Sequence, residues 1–253
     1  IMYEQIPALW SSGDYVNLKV YLERVENFLN FYENSVELEV AIGERRRSGF
    51  TQNLTSMILP GSNGISPIIN VARVLVAAID QRDRYMVGHS DRVARLALQT
   101  GRKLNWTSSD LEFLEVAALL HDIGKIYVQE GILSKAGPLD DVEWVEMKQH
   151  TVVGAELLLK IPYLTQAIPI IRFHHERWDG SGYPLGLVAE EIPLGARIVS
   201  VADSFDAMTT ARVYQKPVTQ EDALEEIKAG SGIKYDPAVV EAFLAAWDKI
   251  VSY

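Results

Sequence analysis

From about residue 67 onward, apolar residues recur at helical spacing in one segment after another, and the alternation that a strand requires is nearly absent. That pattern restricts the fold to packed helices. Ile68 to Asp80 carries an apolar stripe, and Arg92 to Leu104 continues with Val93, Leu96 and Leu98. Thr107-Ser108-Ser109-Asp110 has the form of an N-terminal capping box, with Trp106 ahead of it as a hydrophobic staple. It opens a helix through Leu111, Leu114, Ala117 and Leu120 that delivers His121. Asp140 or Asp141 caps the next helix, in which Trp144, Met147, Val152, Val153 and Leu157 share apolar faces around His150. Ile168 to Phe173, Ala196 to Thr209, and two closing helices begun by Thr219 and Asp236-Pro237 complete the series. The predicted fold class is all-α.

The chain of 253 residues is long enough for one large domain with a small appendage. Residues 1-64 contain no histidine and carry a helical rhythm through Leu18, Val20, Tyr21, Leu22, Val25, Phe28 and Leu29. Arg45, Arg46 and Arg47 read as a solvated helix face. The turn formers Pro60-Gly61-Ser62-Asn63-Gly64 mark the expected boundary with residues 65-253. The first region is expected to be a sensor remnant, a signalling helix or a dimerisation element, the last of which would make a homodimer.

Ten more acidic than basic residues, for a net charge of −10, argue against affinity for duplex nucleic acid. A small anionic substrate stays open, because bound divalent cations reverse the local field. With no cysteine, disulfides, zinc ribbons and iron–sulfur clusters are excluded, and any metal must be held by nitrogen and oxygen. No apolar run approaches the roughly 20 residues of a membrane span, and no signal peptide opens the chain. The expectation is a soluble, cytoplasmic protein.

The five histidines are His89, His121, His150, His174 and His175, and all stand where a metal site would use them. Asp122 follows His121, and Asp203 lies in a later run of small and apolar residues. Imidazole and carboxylate together suit divalent iron, manganese or zinc, and seven such donors exceed the three or four that one zinc needs. The count points to two ions sharing a carboxylate. A His-Asp pair alone is weak evidence, and the His174-His175 pair can reach one cluster only near a helix end or bend. The Gly-rich tail after it supplies that bend. Lys125 stands four residues after His121, on the same helical face if the turn continues.

His121-Asp122-Ile123-Gly124-Lys125 resembles the HD motif of the HD phosphohydrolase superfamily. His174-His175-Glu176, Asp179-Gly180 and Gly182-Tyr183-Pro184 resemble the second signature of its HD-GYP subfamily. Gly88-His89-Ser90-Asp91-Arg92-Val93, Lys135 to Leu139, Met147 to His150 and Ala202 to Thr209 are similar to the intervening family pattern. The resemblance implies an HD-type helical bundle. It implies one ion on His89, His121, Asp122 and Asp203, and a second on Asp122, His150, His174 and His175, with iron or alternatively manganese as the metal. It implies hydrolysis of cyclic di-GMP to the linear dinucleotide or GMP, in bacterial signal transduction. Two metals about 3.5–4 Å apart ready a hydroxide and clamp phosphoryl oxygens, so Asp122 is expected to bridge and Lys125 to stabilise phosphate. The alternatives are hydrolysis of another cyclic dinucleotide or nucleotide ester, and a signalling scaffold without turnover.

The sequence departs from that pattern in two places. Tyr85 stands where members with three metals carry glutamate, so two are expected. Arg212 occupies a phosphate-contacting position, or forms a structural salt bridge, and Gln215 replaces the basic residue usual three positions later. The Gly182-Tyr183-Pro184 loop has two readings. One is purely conformational, with glycine permitting φ > 0. The other is a docking surface for a diguanylate cyclase or another signalling protein, or a control on substrate access. Asp179 and Asp206 are read as supporting or capping groups, Arg92 as structural, and Trp144 and Trp178 as core or pocket wall.

Overall fold

The computed structural model describes residues 88–250 apart from 136, 160–163 and 211–216, together with 69, 72, 73 and 76. The expectations for residues 1-64, the break at Pro60 to Gly64, Tyr85, Arg212 and Gln215 lie outside the described residues. Those described form helices α1 (His89–Lys103), α2 (Ser108–Leu120), α3 (Glu130–Leu133), α4 (Asp141–Leu158), α5 (Ile168–Phe173), α6 (Leu194–Thr209), α7 (Gln220–Ala229) and α8 (Pro237–Ile250). Among them there is no strand, only isolated bridges between Asp179 and Val188 and between Ser231 and Tyr235. The all-α expectation agrees with this architecture.

Local chemistry sets the helix starts. Thr107 accepts from the Asp110 amide while Asp110 reaches back, and Asp140 and Glu143 form the same reciprocal box at α4. Thr219 caps α7, and Asp236 accepts from the Ala238 amide with Pro237 at the first helical position. Such caps contribute about 1 kcal/mol each by satisfying amides that have no partner within the helix.

Helix α6 lies at the centre. It packs on α1, α5, α7 and α8, while α1 also meets α2 and α8. Its Ala196, Ile198, Val199, Val201 and Ala202 are fully buried, which fits a helix covered on several sides. Leu114, Leu119, Ile171, Ile198 and Phe243 belong to the same core. Helix α4 packs on α5 and on a 3-10 turn, Ile123–Tyr127, that follows α2. No helix among the described residues is long and apolar enough to cross a membrane.

Candidate metal centre

Helix α2 carries an apolar run that ends at Leu120, so His121 and Asp122 emerge from the core at its C-terminus, His121 fully buried. The chain then tightens into the 3-10 turn, and Gly124 explains why it can. A Cβ built there would lie 1.9 Å from the His150 carbonyl oxygen and 2.6 Å from the Gly154 nitrogen. Only glycine lets the turn meet the α4 backbone, and that approach brings His150 Nε2 to 3.3 Å from Asp122 Oδ1. The helical continuation assumed for Lys125 gives way to this turn. Its Nζ donates to Asp122 Oδ2 at 2.6 Å, three residues back.

The remaining donors come from three other helices. His89 opens α1, and its Nε2 lies 3.3 Å from Asp203 Oδ1 of α6 and 3.3 Å from His121 Nε2. His174 and His175 follow the last residue of α5, where the helix end lets neighbouring imidazoles turn the same way, ring centroids 4.1 Å apart. Donor atoms fall into two groups, each within 4.8 Å: Asp122, His150, His174 and His175, and His89, His121 and Asp203. All seven side chains named from the sequence are thus brought together, and Asp122 Oδ2 stands 3.4 Å from His121 Nε2, between the groups.

The donor set fits divalent cations on two structural counts. His121, His150 and His174 each give Nδ1–H to the carbonyl three residues back, at 2.7 Å in every case, which leaves Nε2 as the bare lone pair. His150 Nε2, His174 Nε2 and Asp122 Oδ1 are buried without a hydrogen-bond partner among the described residues. A buried acceptor without a donor costs free energy that a bound cation repays.

Electrostatics point the same way for most of the cluster. Burial pushes His150 down to about 4 and His175 down to about 3, and holds His174 well below the usual imidazole range, so these rings are neutral and free to ligate. Burial alone would raise Asp122 and Asp203. Lys125 holds Asp122 well below the carboxylate range, and the bond to His89 does the same for Asp203. His89 is the exception. Burial lowers it, but Asp203 and Asp206 prevail and raise it to about 9.

In the sequence Glu176 stands out only as part of a motif, and the structure gives it a role that the motif does not show. It is 2% exposed, and its carboxylate accepts from the amides of Leu185, Gly186 and Leu187 at 2.7, 3.1 and 3.1 Å. An acidic residue leading into a Gly-rich run, where buried amides need acceptors, was the available signal. Gly182 differs from its expected conformation: the left-handed glycines of this loop are Gly180 and Gly186. Gly182 is needed for close approach, since a Cβ there would lie 2.4 Å from the Arg177 nitrogen.

A cavity of about 710 Å³ opens beside His175, with Tyr183, Trp144, Lys148, Arg177 and Lys234 among its lining residues. Trp144 stands on its wall 46% exposed. Trp178 lies under the Arg197 guanidinium, 5.7 Å from carbon to ring centroid.

The HD domain family matches residues 73–239. A cyclic di-GMP phosphodiesterase of Thermotoga maritima is 42% identical over 179 residues, 70% of this chain and 49% of that protein. A 3'3'-cGAMP-specific phosphodiesterase of Vibrio cholerae is 37% identical over 180 residues, 70% of this chain and 34% of that protein. In fold, the chain is similar to Bd1817, an HDG"Y"P protein of Bdellovibrio bacteriovorus. The TM-score is 0.56 at 16% identity, over 80% of this chain and 78% of that one. The chain belongs to the HD domain family, and its described residues include two His/Asp groups that could hold metal ions. It spans between a third and a half of the length of these two curated relatives.

Proposed function

We propose that the chain is a metal-dependent phosphodiesterase that hydrolyses cyclic di-GMP to the linear dinucleotide or GMP. The observation that carries this reading is the meeting of two donor groups at Asp122, with buried lone pairs left bare on Asp122, His150 and His174. When bound, two divalent ions supply charge neutralisation and a water acidic enough to attack phosphorus at neutral pH. His89, His121 and Asp203 would hold one ion and His150, His174 and His175 the other, with Asp122 shared. Nitrogen and oxygen donors without thiolate suit divalent iron, manganese or zinc, and among these the family resemblance favours iron or manganese.

The other side chains have separate tasks. Lys125 keeps Asp122 ionised and sets an ammonium beside the shared carboxylate, where it can meet a phosphate oxygen. Lys148, Arg177 and Lys234 line the cavity beside His175 in a chain of net charge −10, which suits an anionic ligand. The cavity volume lies in the range of small-molecule sites. Arg212, outside the described residues, is proposed from the family resemblance alone as a phosphate contact. The cytoplasm is the compartment that supplies such a substrate.

The test is turnover. Protein loaded anaerobically with iron or manganese should convert cyclic di-GMP to linear product, and Asp122→Asn should reduce turnover to the level of chelated protein. No product with either metal would refute the activity. Similarity to a 3'3'-cGAMP-specific enzyme favours a second reading, in which the mixed dinucleotide is the better substrate. Ranking kcat/KM for both nucleotides decides between them.

A further inference from the structure

We propose that Asp206, braced by Arg92, is a positioning residue for the ion of the His89 group, so that the two ions are held by unequal means. The inference rests on reading the cluster as a two-metal centre. His89 Nδ1 lies 2.7 Å from Asp206 Oδ2, and Arg92 donates to both oxygens of that carboxylate, from Nε at 2.6 Å and Nη2 at 3.0 Å. Asp206 is 3% exposed. One turn before it on α6, Asp203 approaches the opposite nitrogen of the same ring, Nε2, at 3.3 Å. Helix α6 therefore clamps the His89 imidazole at both nitrogens, with a ligand on one side and a support on the other.

None of the rings of His121, His150 and His174 has such a support at Nδ1. His121, His150 and His174 donate to the backbone carbonyls of Ala118, Met147 and Ile171, within their own helical turns. A carboxylate is the stronger acceptor, makes the imidazole more basic toward a cation, and fixes which nitrogen faces it. The Arg92 fork fixes the carboxylate in turn, so that it cannot rotate toward solvent or swing onto the metal itself. The consequence is local: Asp206 governs the His89 group and leaves the His150 group alone.

Manganese stoichiometry and dissociation constants, from elemental analysis and chelator competition, test this without reference to turnover. Asp206→Asn should keep one ion at the parent affinity and weaken the other by about 10–100-fold, the usual effect of losing such a support. Two backgrounds assign the ions. With His150→Ala, which strips the second group, Asp206→Asn should weaken the remaining ion. With His89→Ala it should change nothing. Equal weakening in both backgrounds, together with a fallen melting temperature, would mean a merely structural residue and would overturn the proposal. Unchanged affinity in both would overturn it too.

If Asp206→Asn does not fold, Arg92→Gln carries the same comparison, since it keeps His89 and Asp206 but releases the brace. Weakening confined to the His150→Ala background supports the proposal, and no weakening refutes it. A parent protein that binds no manganese would overturn the two-metal reading itself, and is told apart by being independent of Asp206.

Discussion

His89 and Asp203 are brought together by the packing of helices α1 and α6, and a side-chain bond from His89 to Asp206 ties them across 117 positions of sequence. His150 and His174 are oriented differently, each by a carbonyl of its own helix. On that second side the long-range work is done by backbone against backbone, where the Gly124 turn meets α4. The contrast shows that one cluster can be assembled by two kinds of constraint. A side-chain clamp is tunable and can be loosened by degrees; a backbone contact permits or forbids.

The sharpest way to break the comparison is Gly124→Ala. Its Cβ would have to displace the backbone at His150 and Gly154, and neither can move aside as a flexible side chain would. We expect about 3 kcal/mol or more of destabilisation by urea unfolding, with loss of the ion bound at the His150 group. Gly131→Ala, in α3 with nothing within 4 Å of the added carbon, is the control and should stay within about 0.5 kcal/mol. Equal stabilities for the two variants would show that the turn and α4 are not in limiting contact.

The two sides should also respond oppositely to pH in metal-free protein. His150 and His175, near 4 and 3 when folded, resist protons that the unfolded chain accepts below about 6.5. Stability must therefore fall as pH drops from 6.5 toward 4, by up to about 1.4 kcal/mol per unit for each such ring. His89, raised to about 9, has the opposite sign. Its contribution is complete below pH 6.5 and is lost as pH rises through 9. Metal-free protein should be most stable near pH 6.5, with a steep acid limb and a shallow alkaline one. Saturating manganese should remove the alkaline limb, because ligation through Nε2 replaces the proton that would titrate and leaves His89 neutral with Nδ1–H on Asp206. Chemical unfolding from pH 4 to 9.5, with and without metal, checks this, and an alkaline limb that persists with metal bound would count against ligation by His89.

How much of this was legible in the sequence follows from what kind of constraint each feature obeys. The helices were readable because periodicity and caps are local: Thr107 with Asp110, and Asp140 with Glu143, act across three residues. The seven side chains that converge were readable because few residue types ligate metals, and cysteine was absent. What a donor rests on was legible only in part: Asp206 read as a supporting group, but not which ring it supports. Nothing in the neighbourhood of Arg92 indicates that it braces a carboxylate on α6, and nothing near Gly124 announces the α4 backbone 1.9 Å from an imagined Cβ. The turn also redirected Lys125, because i,i+4 reasoning holds for an α-helix and the chain there is 3-10. Long-range packing decides such details, and short motifs carry no record of it.

The smallest expected effect sharpens the account of the second side. Glu176 follows His175 directly and spends both oxygens on the amides of Leu185, Gly186 and Leu187. The loop is also pinned where the Tyr183 amide donates to the His175 carbonyl at 3.1 Å. In Glu176→Gln the side chain keeps its shape, but one oxygen becomes an NH₂ that faces donors instead of accepting from them. Leaving a buried amide unsatisfied costs about 1–3 kcal/mol, and the loss should stay local. Hydrogen exchange should therefore quicken at residues 185–187 while amides of α1 and α6 keep their protection. Manganese affinity should shift only in the His150 group, since Tyr183 packs on His175, ring centroids 4.9 Å apart, and the His89 side has no such neighbour among the described residues. Uniform acceleration across both sides would mean that the loop and the clamp open as one unit, and the division between them would not hold.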